Sequence, residues 1–162
     1  MSSLPPAAGK DEAGSCLPCS ELQPSALVGL DQVQERLQSS LPMWTLNSIH
    51  PQGTYSMVSN ATTTGDTTTG PVIPRIQRRF IAKDFKAALD CITRMGAIAD
   101  AQGHHPDFHL TSYRNVQVDL YTHKLKGITE NDLILAEMLD QVPVEYSPAW
   151  LREHPEVQPR KP

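Results

Sequence analysis

His104 and His105 are followed at once by Pro106 and preceded by a stretch of helical periodicity, so two imidazoles leave a helix end where the backbone must turn. Neighbouring side chains diverge at such a point, which lets one meet a ligand while the other reaches it from a second angle. Imidazole titrates near neutrality, with a reference pKa of about 6.5, and can donate and accept protons within one turnover. His123 ends a strand-like segment on the parity of Gln117, Asp119 and Tyr121, so it points away from that segment's apolar face or into a cleft at its rim. Asp132 falls at the start of a helical segment, where the positive end of the helix dipole stabilises a carboxylate. Each residue also has a plainer reading. Histidines are often only satisfied surface or structural neighbours, and an Asp three residues after Thr129 is what a capping box requires.

Metal and redox chemistry compete for the same residues. Three histidines and Asp132 have the donor types of a zinc centre, which depends on a mutual geometry that spacing does not supply. Cys16-Leu17-Pro18-Cys19 has the spacing of half a structural zinc site, but no second pair follows, and Cys91 falls within a helical stripe. The pair lies in a Pro-rich extension rather than at a strand-to-helix junction, which disfavours a redox role. No metal is expected.

The elements that must position these residues follow from periodicity. Leu30, Val33, Leu37 and Leu41 form one helical stripe that Pro42 stops. Residues 43–49 and 74–80 read as strands, separated by a Thr/Gly-rich segment, 51–74, expected to be a long hairpin loop. Phe85, Ala88, Leu89, Ile92, Gly96 and Ala99 keep helical spacing through residues 84–102, and Gly103 supplies the end. Residues 107–111 allow a strand, and Val116, Val118 and Leu120 alternate with polar residues as in a strand with one buried face. A last helix, 129–142, is apolar nearly all round. The order helix, two strands, helix, two strands, helix predicts an α+β fold: a four-stranded antiparallel sheet with three helices on one face. Residues 1–24 are expected to be a weakly packed Pro-rich extension, 25–142 the domain, and 143–162 a Pro-rich tail in which Trp150 and Leu151 dock locally.

The 162 residues suit one domain. Fourteen Lys+Arg against eighteen Asp+Glu leave a net charge of −4, with no global basic field to hold nucleic acid or an anionic membrane directly. No apolar run approaches the ~20 residues that span a bilayer, and the first residues lack an apolar leader, so a cytoplasmic protein is expected. Three cysteines, unevenly placed, suit a reducing compartment.

The pattern Asp100-x3-His104-His105-Pro106, then Tyr113, His123 and Asp132 at fixed intervals, resembles the signature of the pterin-4a-carbinolamine dehydratases. The similarity extends over roughly residues 30–142, including LPMWTL near the first strand and RRFIAKDFKAALD at the second strand and helix. The resemblance implies an enzyme of tetrahydropterin recycling, a hydro-lyase. It would remove water from 4a-hydroxytetrahydrobiopterin to give quinonoid dihydropterin, without a metal or redox cofactor. It casts His104 and His123 as acid and base and Asp132 as the group that orients or tunes a histidine. His105, with Asp100, Pro106 and Phe108, would bind the pterin, and it would orient the ring while sharing in proton transfer. Phe108 stands where many relatives have Trp, and the 51–74 loop is longer than the usual hairpin. The resemblance also leaves a different class open, a non-catalytic assembly module or transcription cofactor on the same fold. A homo-oligomer is expected, a tetramer before a dimer. Helices 84–102 and 133–139 offer more apolar surface than a lone core of this size absorbs.

Overall fold

The computed structural model describes residues 15–49, 55–57 and 72–157. Helix α1 (Leu30–Ser39) buries Val33 and Leu37, and Leu41, just beyond it, is also buried before Pro42 turns the chain. Strands β1 (Trp44–Ile49), β2 (Tyr55–Met57) and β3 (Ile73–Ile81) follow, then α2 (Phe85–Gln102), the hairpin β4 (Asp107–Thr111) and β5 (Asn115–Leu120), α3 (Glu130–Asp140) and α4 (Pro148–Glu153). The strands form one antiparallel sheet in the order β2-β1-β3-β5-β4.

Register decides which side chains meet the helices. Trp44 lies opposite Arg78, Ile76 opposite Leu120, and Phe80 opposite Val116, so alternate residues share one face. Trp44, Ile76, Phe80, Val116, Val118 and Leu120 join Val33 and Leu37 of α1, Cys91 and Met95 of α2 and Leu135 and Leu139 of α3 in one hydrophobic core. The antiparallel sheet with helices on one face is the arrangement expected from periodicity. To the four expected strands the structure adds β2, three residues inside the segment read as a loop; of that segment, residues 51–54 and 58–71 lie outside the described residues.

The opposite face of the sheet is not the solvated one that the alternation in β5 suggested. Asp119 is fully buried, receiving Gln77 Nε2 at 2.7 Å and Gln117 Nε2 at 2.9 Å, with Arg75 at 3.4 Å. Long polar side chains from neighbouring strands cover one another there, and their hydrogen bonds offset the desolvation of the carboxylate.

Two flanking segments also differ from their sequence reading. Of the first 24 residues, 15–24 pack rather than trail: Leu17 exchanges hydrogen bonds with the Asn131 side chain at 2.9 and 2.8 Å, Lys124 Nζ donates to the Ser20 and Leu22 carbonyls, and Leu22 is buried. Beyond Pro143, Ser147 N donates to Ile81 O at 2.8 Å and Tyr146 pairs with Ala82, extending the β3 edge before α4 begins. Trp150 of α4 stacks between Tyr146 and His154 at ring separations of 4.9 and 4.2 Å and is buried as part of the hydrophobic core. The anchor is Arg78, a charged residue at a core-facing position, which pairs with Asp140 at 2.9 Å and donates to Tyr146 Oη at 2.7 Å.

Candidate active site

The end of α2 sets the two adjacent histidines apart. Gly103 adopts the left-handed conformation (φ 64°), its N–H reaching Ala99 O and Asp100 O, and His104 N donates to Ala99 O at 3.2 Å. These are the paired bonds of a Schellman motif, which reverses the chain within two residues. His104 is thereby carried inward to 3% exposure, while the His105 side chain remains 63% exposed.

His104 lies against the start of α3. Its Nε2 is 2.6 Å from Asp132 Oδ1, and Asp132 is fully buried. The second carboxylate oxygen accepts Thr129 N at 2.8 Å, Thr122 Oγ1 at 2.9 Å and Thr129 Oγ1 at 3.2 Å. One oxygen of Asp132 thus closes the helix start and the other meets His104. A carboxylate that takes this many donors is acceptor only, which places the His104 proton on Nε2 and leaves Nδ1 as an acceptor. That acceptor faces Cys19 Sγ at 3.2 Å.

The other two imidazoles are arranged differently. His105 Nε2 is 3.1 Å from Asp100 Oδ1, at the α2 end. His123 Nε2 is 3.5 Å from Asp107 Oδ1, and its ring lies 4.2 Å from that of Tyr121. Burial pushes the Tyr121 phenol above its ordinary value, so it stays protonated near neutrality. Each imidazole of the signature thus turns Nε2 toward a carboxylate, which fixes its ring. His104 and His123 are linked through Thr122, which bonds Asp132 and directly precedes His123 in the chain.

The expected ring of binding residues is not all on one side. Phe108 lies opposite Val118 in the register and packs against the hydrophobic core from the helix side. Pro106 is half-buried, and Tyr113 sits in the β4–β5 turn, 59% exposed with φ 57°. Two residues outside the signature lie beside its histidines. Asp107 had a legible signal, since it shares the parity of His109 and Asp119 at the strand's first position. Cys19 had none, because its contact to His104 joins residues 85 apart. Among the described residues, no group of three or more His, Cys, Asp or Glu is arranged to hold a metal ion.

The chain is 41% identical over 71 residues to pterin-4-alpha-carbinolamine dehydratase 2, mitochondrial, of Arabidopsis thaliana, a match covering 44% of this chain and 38% of that protein. A Chlorobaculum tepidum relative also named for this dehydratase is 35% identical over 127 residues, covering 78% of this chain and 92% of its own length. The solved structure of transcriptional coactivator/pterin dehydratase from Brucella melitensis aligns with a TM-score of 0.49 at 22% identity, over 72% of this chain and 97% of that one. The family model described as pterin 4 alpha carbinolamine dehydratase matches residues 27–142, a span that contains every histidine–carboxylate pair of the site. The chain belongs to the pterin 4 alpha carbinolamine dehydratase family.

Proposed function

We propose that the protein dehydrates 4a-hydroxytetrahydropterin to quinonoid dihydropterin and water. The observation that carries this reading is the set of three imidazoles, each held on Nε2 by its own carboxylate, two of them open to solvent. Loss of the 4a-hydroxyl needs a proton at the departing oxygen, and the new double bond needs a base for the N5 proton. His123, placed beside Asp107, gives the proton to the leaving oxygen. His105 takes the N5 proton and orients the ring. His104 is enclosed by Asp132 and Cys19 and acts as a positioning residue for the strand end that carries His123. Turnover of the 4a-carbinolamine by the wild type and by a His105→Ala/His123→Ala double variant tests it. Loss of at least hundredfold with an unchanged far-UV spectrum supports the reading; undiminished turnover removes it.

The working form of this reading is a cytoplasmic homotetramer. In the monomer the apolar surface of α3 is largely used, with Leu133, Leu135, Ala136 and Leu139 buried. The surface left over is on α2, where Phe85 is 51% and Leu89 43% exposed one helical turn apart. Sedimentation at micromolar concentration should give a tetramer that Leu89→Glu breaks down; a wild-type monomer would count against it. Among the described residues, no helix is long and apolar enough to cross a membrane.

A further inference from the structure

Asp132, His104 and Cys19 stand in line: the carboxylate holds Nε2 at 2.6 Å, and the opposite ring nitrogen faces a sulfur at 3.2 Å. This is the arrangement in which a base, oriented by a third group, takes the proton of a nucleophile. The tautomer argued above leaves Nδ1 able to accept that proton. His104 and Asp132 are buried, so water does not compete for the bond, while Cys19 is only half-buried and within reach of a small reagent.

A second thiol sits three residues before it. Cys16 Sγ donates to Asn131 O at 3.6 Å, and the segment between the two cysteines is tied to α3 through Leu17 and Asn131. The Cys16 thiol is pushed up to about 11, chiefly by burial, so it stays protonated at neutral pH. Cys91, by contrast, is buried in the core on α2. The chain therefore holds one thiol paired with an oriented base, one held back beside it, and one enclosed.

We propose that Cys19 is a reactive thiol, activated by the His104–Asp132 pair, that is oxidised by a hydroperoxide and resolved as a disulfide by Cys16. In the first step the Cys19 proton passes to His104 Nδ1 and the sulfur attacks one peroxide oxygen. The O–O bond breaks, and the departing hydroxide, or the alkoxide of an organic hydroperoxide, takes the imidazolium proton and leaves as water or the alcohol. Sulfur is oxidised to a sulfenic acid and the peroxide is reduced. In the second step the Cys16 sulfur attacks the Cys19 sulfur, the S–O bond breaks, and the departing hydroxyl takes the Cys16 proton and leaves as water. The thiol chemistry does not depend on dehydration, so it is tested without reading turnover.

The experiment uses the full-length protein. Pulse alkylation with iodoacetamide at pH 7, read by mass spectrometry, should label Cys19 at least tenfold faster in the native chain than in the same chain unfolded in guanidinium. Native Cys16 and Cys91 should be slower than their unfolded counterparts. A native Cys19 rate at or below the unfolded rate overturns the proposal, and this comparison needs no variant. His104→Gln should bring the native Cys19 rate down to the unfolded value; a folded variant that keeps the fast rate also overturns it. Stoichiometric hydrogen peroxide should give the Cys16–Cys19 disulfide, and in Cys16→Ser a dimedone adduct on Cys19. Peroxide consumption that leaves Cys19 unmodified would end the proposal.

Discussion

His104 keeps 3% of its side chain in solvent with both ring nitrogens engaged, whereas His105, one residue later, and His123 keep 63% and 54% of theirs exposed. The same residue type at neighbouring positions of one signature is thus put to two uses. In the buried pair the partners are taken out of water, so its electrostatics are strong and removal of either partner leaves a polar group without compensation. In the exposed pairs water competes with the carboxylate, the net stabilisation is small, and the rings remain available to another molecule. Burial makes His104 a fixed part of the frame, and in the proposed reaction the proton transfer falls to the exposed His105 and His123.

The comparison breaks most sharply at the carboxylates. Asp132→Ala strips the partner from His104 and from Thr129 N, and should cost about 3–5 kcal/mol in urea unfolding, as loss of one member of a buried pair does. His123→Ala should shift the same midpoint by no more than about 0.5 kcal/mol. Equal losses would mean that exposure does not separate the two kinds of site. Asp132→Asn is intermediate: an amide offers one acceptor oxygen where the carboxylate uses both, and its NH2 would face donors.

Turnover should sharpen the same contrast from the other side. His123→Ala should lower kcat about a hundredfold, the usual contribution of a general acid, with little change in KM. His105→Ala should raise KM more than His123→Ala does, because its ring orients the pterin as well as exchanging a proton. Steady-state kinetics on both variants decide it, and matching effects on kcat and KM in the two would dissolve the distinction between them.

The smallest effect concerns the thiol beside the buried pair. Burial raises Cys16 from its ordinary value of 9.0 to about 11. The folded chain therefore holds that proton longer than the unfolded chain, so the contribution is complete below pH 9.0 and is lost as pH rises through about 11. With allowance for the partial exposure of this site, stability should fall by about 1–2 kcal/mol across that window. Cys16→Ala should remove that part of the slope in denaturant titrations, and an unchanged slope would show that Cys16 carries none of it.

The sequence by itself determined the helices and strands that carry the site, because their apolar periods are local and each finds its partner on one shared core. Leu30 illustrates the limit of that reading: it has the spacing of the α1 stripe yet is 44% exposed, since the stripe meets the sheet only from Val33 onward. The positions of His104, His105, His123 and Asp132 were legible as a pattern, and the capping role of Asp132 was legible from Thr129 three residues earlier. Which histidine is enclosed was not, because that depends on the chain reversal at Gly103 meeting the start of α3, 28 residues on. Asp107 reached His123 only through the pairing of β4 with β5, and Phe108 was turned to the core by the same register. Cys19 met His104 only because the Pro-rich segment, which has no hydrophobic period of its own, is held by scattered polar contacts to Gln102, Lys124 and Asn131. Local pattern fixes an element through many like contacts, whereas a lone long-range hydrogen bond leaves no periodic trace and exists only once the chain has closed around it.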